Sequence, residues 1–132
     1  MSSTRSFCLG APTREQRRAH DSLVQGLEAA ERIGRPGARG REVFTALLGP
    51  IEAAGLAAGF RFHGGHAMGL EHVERPYVIP GEDLPLEEGM VIALEPAVYL
   101  PEIGGLRVED NYVVTSRGLE ALSRYPRELV VC

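Results

Sequence analysis

Val91-Ile92-Ala93-Leu94-Glu95-Pro96-Ala97-Val98-Tyr99-Leu100 reads as a buried strand with one carboxylate set into its middle. A continuous run of β-branched and other apolar residues fits a strand covered on both faces. An uncompensated carboxylate in such a run costs several kcal/mol unless a cation, strong donors or a proton meets it. Pro96, directly after Glu95, removes a ladder donor. That places a sheet edge, a bulge or a strand end here, where a side chain can be aimed at a site.

Downstream, Leu106 to Thr115 is the second strong strand, and Leu129 to Val131 reads as a short last one. The strand period of two puts Arg107 and Glu109 on one face and Leu106 and Val108 on the other. Two acidic groups from neighbouring strands can then converge; equally, Arg107 can simply neutralise Glu95 or Glu109. Upstream, His63-Gly64-Gly65-His66-Ala67-Met68-Gly69 combines imidazoles with glycines that let the backbone turn tightly and leave the rings room to reach a ligand. A lone histidine fits a structural role. One histidine and two carboxylates in apolar surroundings instead suit Zn, Mn, Co or Fe(II).

The first half of the chain is different in kind. Thr4 to Leu9 alternates as a strand, and Gly10-Ala11-Pro12 breaks it. Thr13 can cap a helix with Gln16 completing a capping box, and Leu23, Leu27, Ala30 and Ile33 form its apolar stripe. Gly34, followed by Pro36 and Gly37, stops it. A second helix is predicted from about Gly40 to Ala54 with Val43, Leu47, Leu48 and Ile51 inward, and Gly49-Pro50 is expected to bend or interrupt it. A strand, two helices and then several strands predict an α+β fold. Pro80 to Asp83 and Glu87 to Gly89 read as turns inside one domain spanning residues 1–132.

Composition narrows the partners. The chain has 132 residues, 44% hydrophobic and 24% charged, enough for one domain with a core. With a net charge of -4 and basic residues scattered among acidic ones, nucleic acid is not an expected partner. No window approaches the run of about 20 apolar residues that spans a bilayer, and the start lacks a long hydrophobic region, so a cytoplasmic protein off the membrane is expected. Cys8 and Cys132, the two cysteines, are expected to be free thiols.

Four ordered segments resemble one family. Gly65 to Glu71 with Glu74-Arg75-Pro76 resembles the GHGxGLxxHExP segment of the M24 metallopeptidases, the superfamily of creatinase, Xaa-Pro dipeptidase, aminopeptidase P and methionine aminopeptidase with the pita-bread fold. Pro85 to Pro96 resembles PLxxGMVxTIEPG, Gly104 to Asp110 resembles GGxRxED, and Arg124 to Leu129 resembles RFPREL. Thr4-Arg5-Ser6-Phe7 is similar to the strand after the family's second Asp ligand, and Arg35 to Glu42 to its inter-helix turn. The wording is closest to the Xaa-Pro dipeptidase and aminopeptidase P branch.

The resemblance implies a truncated pita-bread fold, two helices packed on a curved, mainly antiparallel sheet, with His66, Glu95 and Glu109 as metal ligands. It also implies that Glu95 transfers a proton and that Arg107 orients the acidic cluster. The family holds two metals with two Asp, one His and two Glu. Here the second Asp position falls on Ser2 and the first would precede Met1. The expectation is therefore one divalent ion, Mn, Zn, Co or Fe, with three protein ligands and open water positions.

The flanking histidines also depart from the pattern. His63 stands three residues before His66, where the family has four. The family's later histidine position holds Val73, with His72 one place earlier. In an extended segment a slip of one residue reverses the face, so the substrate pocket is expected to be remodelled. The family's first pseudo-symmetric half has no counterpart here, which leaves the strand at Thr4 to Leu9 with an edge that a second copy or a partner chain is expected to cover.

Three functions follow as alternatives. The first is a metal-dependent hydrolase of peptide-like amides near proline, with Glu95 moving the proton and His72 or His63 stabilising the intermediate. The second is a small-molecule enzyme on the same pocket, a lyase, cyclase or isomerase. The third is a non-catalytic pseudoenzyme domain in which Glu95 and Glu109 pair with Arg107 and His66 without metal.

Overall fold

A computed structural model describes residues 1–61 and 63–132. In chain order the elements are β1 (Phe7–Cys8), α1 (Arg14–Ile33), α2 (Gly40–Ala53), a 3₁₀ turn (Ala57–Gly59), β2 (Gly65–Met68), β3 (Glu74–Val78), β4 (Val91–Leu94), β5 (Ala97–Leu100), β6 (Gly104–Arg107), β7 (Asp110–Thr115), β8 (Gly118–Ala121) and β9 (Val130–Val131).

Helix α1 begins where its sequence places it. Gln16 N donates to Thr13 Oγ1 at 3.1 Å and Thr13 N donates to the Gln16 side-chain oxygen at 2.9 Å, closing the capping box. The helix ends as Gly34 N donates to Ala30 O. Its buried stripe, Leu23, Leu27 and Ala30, lies against α2, which buries Val43, Leu47 and Ile51. The two helices cross at Gly26, where a Cβ would press on the Leu47 carbonyl.

Helix α2 is not interrupted at Gly49-Pro50, contrary to that part of the expectation. Pro50 lies in the last turns, forfeits only its own donor, and its carbonyl still accepts from Ala54 N at 3.1 Å.

Five strands form one antiparallel sheet in the order β3-β2-β4-β7-β8. Strands β5 and β6 pair separately as an antiparallel hairpin, and β1 pairs with β9 in parallel. The helices and the sheet share one core. Leu23, Leu27, Leu47 and Ile51 meet Val78, Ile92, Leu94, Val98, Val108 and Tyr112, each aliphatic side chain contributing about 1.5–3 kcal/mol on burial. Among the described residues no helix is long and apolar enough to cross a membrane.

The two long strands expected from the sequence are each broken. Val91 to Leu100 divides at Glu95-Pro96 into β4 and β5, and Leu106 to Thr115 divides at Val108-Glu109 into β6 and β7. The chain changes sheets at both breaks. Val108 N donates to Pro96 O at 3.2 Å, tying the two crossing points together. Thr4 to Leu9 shortens to Phe7–Cys8, with Thr4 kept in an isolated bridge to Glu109.

Candidate active site

Glu95 sits at the first of those crossing points. Its N–H donates to Gly64 O at 2.8 Å and Pro96 follows without a donor, so the backbone is pinned while the side chain leaves the ladder. The carboxylate is 8% exposed. Arg107 Nη1, from the end of β6, donates to Oε2 at 2.9 Å. The other oxygen, Oε1, faces His66 Nε2 at 3.3 Å and His63 Nδ1 at 3.5 Å. One face of the carboxylate is thus fixed by a permanent cation and the other is turned to two imidazoles.

His66 is buried on β2, paired with Ala93 of β4 and Tyr77 of β3. Its neighbour Gly65 allows that pairing, because a Cβ there would overlap the Ala93 carbonyl. His66 Nδ1 lies 2.9 Å from the Ala67 carbonyl oxygen. A carbonyl only accepts, so Nδ1 carries the hydrogen, and a neutral ring then presents the Nε2 lone pair to Glu95. Two acceptors 3.3 Å apart in a buried place require a proton or a cation between them. The backbone carbonyl on the far nitrogen is the kind of outer partner that orients a ligating imidazole. On this ground His66 and Glu95 fit a divalent ion.

Glu109 occupies the second crossing point and meets different groups. Thr4 Oγ1 donates to Oε2 at 2.6 Å and Ser2 Oγ donates to Oε1, while Glu109 N donates to Thr4 O at 3.0 Å. Ser2 therefore stands beside this carboxylate, as a donor. As the side chains stand, no three of the described His, Cys, Asp and Glu residues form a set that could hold a metal ion. The structure joins His66 to Glu95, and Arg107 and His63 to the same carboxylate. Glu109 is held by two hydroxyls.

The slipped histidines do not turn away. His63 reaches Glu95, and the His72 ring lies 5.3 Å from the His66 ring, centroid to centroid. Strand period governs neither residue: His63 precedes β2 and His72 lies in the bend between β2 and β3. Two clefts of about 840 and 790 Å³ open elsewhere, one beside the turn before α2 and one beside His20 and Arg124, and neither is lined by His66, Glu95 or Arg107.

Other buried polar groups carry no local sequence signal. Glu82, inside what the sequence shows only as a turn, accepts from Arg75 Nε at 3.0 Å and Nη2 at 2.6 Å, from Tyr77 N at 3.1 Å and from Leu84 N at 3.1 Å. The Arg75 guanidinium holds its carboxyl down at about 2, against the cost of burial. Arg5 donates to Asp110 at 2.6 Å and Arg127 to the other Asp110 oxygen at 2.6 Å; the Tyr112 hydroxyl donates to Glu31 at 2.7 Å. Burial pushes the Tyr112 phenol up. Arg5 thereby ties the N-terminal segment to β7.

The comparisons with known proteins agree with this architecture. Residues 1–116 match metallopeptidase family M24. The putative dipeptidase YkvY of Bacillus subtilis is 36% identical over 97% of this chain and 35% of its own length. The Xaa-Pro dipeptidase of Pyrococcus horikoshii is 33% identical over 96% of this chain and 36% of its own length. The crystal structure of dipeptidase PepE from Mycobacterium ulcerans superposes with a TM-score of 0.92 at 36% identity, over 98% of this chain and 35% of that one. The chain thus spans about a third of the length of the relatives it matches, and over that third its α+β, pita-bread fold is theirs. By sequence and by fold, this chain belongs to metallopeptidase family M24.

Proposed function

We propose that residues 1–132 form one metal-binding catalytic unit of a hydrolase acting on peptide-like substrates of the Xaa-Pro type. The observation that carries the reading is the buried His66 Nε2 to Glu95 Oε1 contact at 3.3 Å, with Arg107 on the opposite oxygen. His66 and Glu95 would hold one divalent ion, Mn, Zn, Co or Fe, and the resemblance gives the third place to Glu109. Bound there, the ion supplies positive charge that polarises a scissile carbonyl and acidifies water.

The chain's own residues supply the rest. Arg107 donates to Oε2 of Glu95 and so fixes the orientation of the carboxylate, which would take a proton from the attacking water and return it to the leaving nitrogen. The Ala67 carbonyl fixes the His66 tautomer. His63 and His72, on coil segments and with their rings near His66, would donate to charge developing on the substrate oxygen. The reading includes a second copy of the chain or a partner chain against β1, where Phe7 is 57% and Leu9 is 90% exposed; mass in solution tests that part.

A second reading has its own observation. Glu95 already pairs with Arg107 and His66, and Glu109 with Ser2 and Thr4, an arrangement that a non-catalytic domain can keep without metal. Loading the folded protein with Mn, Co, Zn or Fe(II) and assaying release of the N-terminal residue from Xaa-Pro dipeptides separates the two. Turnover that depends on metal and disappears in Glu95→Gln supports the hydrolase. Folded protein that stays inactive with every ion supports the non-catalytic domain.

A further inference from the structure

We infer that Asn111 is a positioning residue for Glu109, acting through the backbone of Ser2. This rests on the reading that Glu109 serves a hydrolytic site, and it names what holds that carboxylate in place. His66 of β2 is paired with Ala93 of β4, and Ala93 with Asn111 of β7. Residues directly opposite one another in an antiparallel sheet share a face, so Asn111 lies on the face that carries His66. It is 2% exposed.

The amide has one workable orientation. The Ser2 carbonyl against it only accepts, so Nδ2 faces that oxygen and donates. The same nitrogen lies 3.3 Å from Ser123 Oγ and 3.4 Å from Ser3 Oγ. Ser123 Oγ also accepts from Asn111 N at 2.9 Å and stands 3.0 Å from Ser3 Oγ. One residue thus joins β7 to the N-terminal segment and to the stretch after β8. Its Oδ1 is buried without a hydrogen-bond partner among the described residues, so the contact with Ser2 is kept at the cost of an unmet acceptor.

Ser2 carries this anchoring to Glu109. Asn111 holds its carbonyl, and its hydroxyl donates to Glu109 Oε1, while Thr4 Oγ1 donates to Oε2 at 2.6 Å. A serine hydroxyl on a loose segment turns among three staggered rotamers, and fixing the backbone of that residue limits where the hydroxyl can point. Among the described residues, Asn111 and the Glu109 carboxylate share only Ser2 as a hydrogen-bonding neighbour, so any influence of one on the other through hydrogen bonds passes through it.

Urea unfolding of the metal-free whole chain tests this without reference to turnover. In a double-mutant cycle, Asn111→Ala and Glu109→Ala together are expected to lower the folding equilibrium constant about fivefold less than the product of their separate effects. Repeated in a Ser2→Ala background, the same cycle is expected to show no coupling, which a residue that only fills space in β7 does not produce. Asn111→Ser, which lacks the amide, is expected to repeat the pattern and serves where the alanine variant does not fold. In the metal-loaded chain, Asn111→Ala is expected to lower kcat on an Xaa-Pro dipeptide about tenfold with KM nearly unchanged, and to add nothing to the loss in Ser2→Ala. Additive unfolding effects, or coupling that persists without the Ser2 hydroxyl, overturn the assignment. A folded wild type that is inactive with every ion overturns the hydrolase reading instead, and the unfolding cycle still decides the role of Asn111.

Discussion

Glu82 and Glu95 are both buried carboxylates placed where the chain leaves regular structure, 3% and 8% exposed, yet they meet opposite surroundings. Glu82 is saturated: a guanidinium fork and two backbone N–H groups use its oxygens, and the result joins β3 to the start of α2. Glu95 has one cation on Oε2, while Oε1 is turned to the nitrogens of two imidazoles. Burial alone therefore does not separate the two carboxylates. What distinguishes them is whether the partners are all donors, or whether some are atoms that themselves seek a proton or an ion.

The sharpest way to break that contrast is Glu95→Gln. It is expected to lower metal-dependent turnover by about 10²–10⁴-fold, read as kcat/KM on an Xaa-Pro dipeptide. The midpoint of urea unfolding should move little. Next is Arg107→Ala, which frees Oε2 and is expected to cost about 10–100-fold in metal affinity or activity, measured by metal titration.

Glu82→Ala should do the reverse of Glu95→Gln. Stripping the acceptor from buried Tyr77 N and Leu84 N is expected to destabilise the fold by about 2–3 kcal/mol in urea unfolding, with metal affinity unchanged.

Acid sharpens the same point. Folding lowers the Glu82 pKa from 4.5 to about 2, so between those values the folded chain binds fewer protons than the unfolded one and stability rises with pH. Its contribution is complete above about pH 4.5 and lost as pH falls through about 2. Glu82→Gln is expected to flatten that part of the stability profile. The smallest effect belongs to Arg75→Gln, whose well-exposed guanidinium is screened by water, and its shift in the unfolding midpoint should be below that of Glu82→Ala.

The sequence makes Glu95 legible and hides Glu82 for a physical reason. A carboxylate inside Val91 to Leu100 is out of place among apolar neighbours, so its need for a partner is written locally. Glu82 lies in Pro80-Gly81-Glu82-Asp83, where an acid is ordinary, and its partner Arg75 is set by how β3 returns to the turn. Arg5 and Asp110 are hidden in the same way, since 105 residues separate the two ends of their bond.

Element type was readable where one strong local cause acted, as at the Thr13 cap and the Gly34 stop of α1. The strand breaks were only half readable. Pro96 marked the first, but nothing in Val108-Glu109 marks the second, because there the chain turns to follow its pairing with Pro96 and Thr4. The facing of the two flanking histidines was not readable for a related reason. A period-two argument holds only inside a strand, and both histidines lie outside one.

His66 and Glu95 are proposed to share a divalent ion. Elemental analysis of folded protein, dialysed after exposure to zinc, measures that directly when wild type and Glu95→Gln are run side by side. The expected result is one zinc per chain in the wild type and none in the variant. Equal zinc in both, or a folded wild type that retains none, contradicts it.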